Sequence, residues 1–81
     1  MISSNQDLYN GLEKLSIQLE RSGGKDQSAK LKDAMAISSV PGEILGEIRL
    51  ELRKLSTTTL GKEAEFDKKI RDMLSYLDKI L

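Results

Sequence analysis

The 81-residue chain has no cysteine, no histidine and no tryptophan, and it holds one proline and one phenylalanine. Each absence removes a class of chemistry. Without cysteine there is no disulfide, no thiol redox step and no thiolate nucleophile; without histidine the Ser-His and Cys-His triads cannot be assembled. Zinc fingers and haem ligation by His or Cys go with them. A metal site would have to be built from carboxylates alone, and no segment gathers them in that way, so no cofactor is expected. One Phe and two Tyr are too few for platforms on which unpaired bases stack.

An excess of either charge is also missing. The 13 basic and 13 acidic side chains cancel. They balance locally as well, five against five over residues 1–40 and eight against eight over residues 41–81. Phosphate binding is driven by a basic surplus that releases counterions, so nucleic acid is not an expected partner. Long apolar runs are absent too. The longest, 34–37, falls far short of the ~20 residues that span a bilayer, and no transmembrane segment is expected. Residues 1–20 lack the basic start and apolar stretch of a signal peptide, which makes the cytoplasm the expected location.

What the chain does have is leucine and isoleucine, 20 residues in all, at helical spacing. The first helix is predicted over 4–21. Ser4 followed three positions later by Asp7 is a capping-box arrangement, and Leu8, Leu12, Leu15 and Leu19 form a stripe about 60° wide. Ser22-Gly23-Gly24 ends it. The second, over 26–38, is short, with Asp26 as its cap and Leu31, Ala34, Met35 and Ser38 on one side. Pro41 suits the first position of the third helix, 41–55, because its missing N–H would have no partner there. Glu43 lies in that helix's first turn, where the helix dipole favours negative charge. Its stripe is Ile44, Leu45, Ile48, Leu52 and Leu55. The run Ser56-Thr57-Thr58-Thr59 interrupts the pattern, since hydroxyl side chains compete for backbone hydrogen bonds. The fourth helix, 61–80, carries Phe66, Ile70, Met73, Leu74, Leu77, Ile80 and Leu81, flanked by the pairs Glu65–Lys69 and Asp67–Arg71. Connections of three to five residues force consecutive helices to lie antiparallel. The predicted architecture is therefore one all-α domain, an up-down-up-down four-helix bundle with a short second helix.

Two apolar residues do not fit their stripes. Leu50 points about 155° away from the third stripe, beside Gly42 and Gly46 and flanked by Arg49 and Arg53. Ile17 lies about 170° from the first stripe. A leucine next to a Gly-x-x-x-Gly pair offers an apolar knob beside a flat strip, and arginines make suitable rim contacts. Gly42, Gly46, Arg49, Leu50, Arg53 and Ile17 are therefore the candidate partner-binding residues, for another protein or for a second copy of the chain. The row Glu43, Glu47 and Glu51 reads as a solvated face, because nothing in the pattern desolvates it. Tyr9 and Tyr76 read as core-edge residues with their hydroxyls in water. No catalytic residue is expected, and the functional expectation is a non-enzymatic protein-binding bundle or a self-assembling one.

The stretch Ser39-Val40-Pro41 with Leu45, leading into a charged third helix and a polar break, resembles the pediocin-like bacteriocin immunity proteins. The resemblance implies a cytoplasmic antiparallel four-helix bundle that protects a producer cell by binding a receptor–bacteriocin complex. That family continues past its fourth helix into a C-terminal tail linked to partner choice, which the 81 residues do not include.

Overall fold

The computed structural model describes residues 2–37 and 39–81, and it is all-helical among them: α1 (Asn5–Arg21), α2 (Lys25–Met35), α3 (Pro41–Ser56) and α4 (Ala64–Ile80). Helix packing is that of a four-helix bundle. Each helix packs on its sequence neighbour and α4 closes back on α1, so α1 and α3 occupy diagonal corners. The four stripes meet in one core of Leu8, Leu12, Leu15, Leu19, Leu31, Ala34, Leu45, Ile48, Leu52, Leu55, Phe66, Ile70, Met73 and Leu77.

The ends of the elements follow from local chemistry. The Ser4 hydroxyl accepts from the Asp7 N–H at 3.1 Å. Asp7 in turn accepts from the N–H and hydroxyl of Ser3 rather than from the Ser4 N–H. Gly23, at φ +87°, lets α1 close in a Schellman arrangement. There the Gly24 N–H donates to Leu19 and the Gly23 N–H to Glu20. At the end of α3 the hydroxyls of Ser56, Thr57 and Thr58 each donate to the carbonyl three residues back. That is the competition expected of this hydroxyl run.

Three expectations need correction. Asp26 is inside the first turn of α2, and the cap is Gly24. The Schellman turn brings the chain straight into α2, two residues earlier than a side-chain cap would. The same helix stops at Met35, and the expected Ser38 contact falls outside the described residues. The α3–α4 connection covers residues 57–63 instead of three to five residues, and α4 begins at Ala64. Gly61 is withdrawn from the helix because it and Leu60 close one end of the bundle. Leu60 packs on the core beside buried Gly24, and Gly61 is pressed against the Leu55 carbonyl. Ile80 and Leu81 continue the stripe of α4 but are exposed, since they lie past its last core layer at Leu77.

Candidate protein-binding face

Viewed down α3, the core residues Leu45, Ile48, Leu52 and Leu55 occupy one side and Leu50 the opposite one. Leu50 is 45% exposed although the apolar residues two positions either side of it are buried. Arg49, Arg53, Gly42 and Gly46 lie on the flank toward α4; Glu43, Glu47, Glu51 and Lys54 lie on the flank toward α2. A methyl group placed on Gly42 or on Gly46 would meet no atom within 4 Å. The glycines therefore leave an open strip beside Leu50 that the bundle's own packing does not use.

The arginines are tied down within the bundle. Arg53 reaches Asp78 on α4 at 3.2 Å and Arg49 reaches the same carboxylate oxygen at 3.6 Å. Two guanidinium groups on one carboxylate leave this flank net positive. On the other flank Lys54 contacts Glu51 at 3.4 Å, so the net negative charge there is carried by Glu47 one turn earlier and Glu43 two turns earlier. The α2 edge adds Lys30 and Asp33, which cancel. Glu51 departs from the expected solvated row: its side chain is only 17% exposed, tucked against α2 beside Lys30 and Leu31. Among the described residues, no group of three acidic side chains converges to hold a metal ion.

Ile17 is 49% exposed. It points outward from α1, at the corner diagonal to α3, and borders a shallow groove with Glu13, Ser16, Lys32 and Met35. The structure thus brings Gly42, Gly46, Arg49, Leu50 and Arg53 onto one face and leaves Ile17 on another.

No family model, curated protein or solved structure matches the chain.

Several polar contacts escape a reading of the stripes. Ser16 and Ser28 are buried where α1 meets α2. Ser28 donates to Glu20 at 3.2 Å, and Lys32 pairs with the same carboxylate at 2.8 Å. These donors, Lys32 first, hold the Glu20 carboxyl below its ordinary range. The Ser3 hydroxyl and N–H do the same for Asp7. The exposed Tyr76 hydroxyl donates to the Asn5 side chain, and Lys69 donates to Gln18, so α4 is tied to α1 twice. Asp78 is legible only in retrospect, as the acidic residue one turn past Leu74 on the side of α4 that faces α3. No helix among the described residues is long and apolar enough to cross a membrane.

Proposed function

We propose that this chain is a non-enzymatic helical module that works by binding protein through the outer face of α3, with Leu50 as the anchor, Gly42 and Gly46 as the flat strip and Arg49 and Arg53 as the rim. The observation that carries the reading is the exposure of Leu50 beside two helical glycines whose side-chain space is open. Glycine inside a helix costs about 1 kcal/mol relative to alanine. Packing within the bundle gives no return for that cost at Gly46, whereas close approach of a second backbone would. The test is retention on immobilised protein, with the chain's own soluble copy counted among the partners. Leu50→Asp should keep full helicity and lose what the wild type retains, while Ile17→Asp should lose nothing. Equal retention by all three proteins removes this face.

The resemblance to pediocin-like immunity proteins gives the finer reading, a cytoplasmic protector that binds a receptor–bacteriocin complex. It is supported by the start of α3, where Val40 caps the helix and Pro41 opens it. Expression in a bacteriocin-sensitive strain should confer survival, and Leu50→Asp should abolish it. Killing at the same dose as in cells without the protein overturns immunity and leaves the binding reading in place.

A further inference from the structure

We infer that the occupant of the α3 face is a second copy of this chain, packed α3 against α3 with the two helices parallel. The inference rests on the reading of that face as a docking surface and adds what docks there. Its basis is the way charge is laid across the face. Leu50 lies in the middle; the α4 flank is net positive through Arg49 and Arg53 over Asp78, and the α2 flank is negative through Glu43 and Glu47, with Glu51 and Lys54 cancelling. A surface with opposite signs on its two flanks is its own complement under one kind of two-fold only. If the axis runs parallel to α3, the positive flank of each copy faces the negative flank of the other, at both edges at once. If the helices run antiparallel, positive meets positive and negative meets negative. Opposite charges aligned across a contact fix orientation and exclude the wrong one, and a two-fold contact must satisfy each pairing twice.

The parallel arrangement also places like residues at the same height. Leu50 of each copy meets Leu50 of the other, and the Gly46 positions face one another. The open space at Gly46 then admits the opposing helix, and the partly exposed Arg53 lies within reach of the second copy's Glu47. The apolar area is small, Leu50 with exposed Ile37 at the α2 edge, so the association is weak and depends on concentration.

Sedimentation equilibrium and a single engineered cysteine test this together. The chain has no native cysteine, so a cross-link reports only the position chosen. The wild type should rise from its monomer mass of 9.0 kDa toward twice that value as concentration reaches the millimolar range. Leu50→Asp should stay monomeric. Gly46→Cys, which the open space accommodates, should form a covalent dimer under mild oxidant at least about tenfold faster than Ile17→Cys. The reason is that parallel packing puts the α-carbons of the two substituted positions within the ~4.4–6.8 Å that a disulfide needs. Antiparallel packing about Leu50 would separate them by about two turns and remove that advantage. A wild type that stays at 9.0 kDa at every concentration, or equal cross-linking of the two cysteine variants, overturns the second copy. If such a monomer retains another protein that Leu50→Asp loses, the docking face stands with a different occupant. If its retained proteins ignore Leu50→Asp, both readings fall.

Discussion

Gly46 and Gly61 are the same residue type under opposite constraints. Gly46 lies inside α3 with nothing near its missing side chain, so Gly46→Ala should stabilise the monomer by about 0.5–1 kcal/mol. In a domain of this size that corresponds to a rise of roughly 4–8 °C in Tm per kcal/mol, readable by circular dichroism. At Gly61 a methyl group would collide with the Leu55 carbonyl, which belongs to backbone and cannot swing aside. Gly61→Ala should therefore destabilise by about 1–3 kcal/mol. The carboxylates of Glu20 and Asp7 make a pH prediction at the same scale. Both titrate below their ordinary range in the folded chain, so each adds stability above that range and loses it as pH falls through its folded pKa. Glu20→Gln should flatten the acid limb of a stability–pH profile below about pH 5 and leave the neutral region nearly parallel to wild type. An unchanged acid limb would mean that the contacts of Glu20 with Lys32 and Ser28 do not persist in solution.

Among the elements, α2 is the weakest. It has 11 residues, a glycine cap with no side-chain hydrogen bond, and only Ser28, Leu31 and Ala34 buried. Leu31 is its one large anchor. Leu31→Ala should cost about 2–5 kcal/mol, and the α2 amides should be the first to lose protection in hydrogen exchange. The four stripes were readable from spacing because a buried helical face repeats at a fixed angle. The ends at Ser4, Gly23 and Pro41 were readable too, but the cap of α2 was not, because tertiary contacts chose it. Asp26 is as good a cap as Gly24 by local chemistry, and only the turn that folds α2 back onto α1 decides between them. Likewise Leu60 fits a helical pattern, and its use in closing the bundle depends on a contact with Gly24, far away in sequence. The outward position of Leu50 was legible, since it follows from the angle to its own stripe. That Arg49 and Arg53 share Asp78 was not, because it needs the packing of α4 on α3. With Arg53 and Asp78 both more than half exposed, Arg53→Ala should change stability by less than about 1 kcal/mol.

At the level of the whole molecule, the net charge is zero and the surface charges are mixed, so no long-range field selects a partner. Selection must come from short-range pattern, and the α3 face combines opposite signs on either side of an exposed apolar residue with the open strip at Gly42 and Gly46. Its charges lie at the rim, within reach of salt, while Leu50 lies at the centre. Raising ionic strength from about 0.05 to 0.5 M should therefore weaken self-association several-fold without abolishing it. Loss of all association would show that charge alone holds the copies together. Self-association through α3 is read residue by residue in a pair of amide-resolved NMR spectra, one dilute and one concentrated. Shifts and broadening should be confined to residues 42–54 and the adjoining Asp78 turn, with Ile17 and its neighbours unmoved. Changes centred on α1, or none anywhere up to millimolar concentration, would contradict self-association through α3.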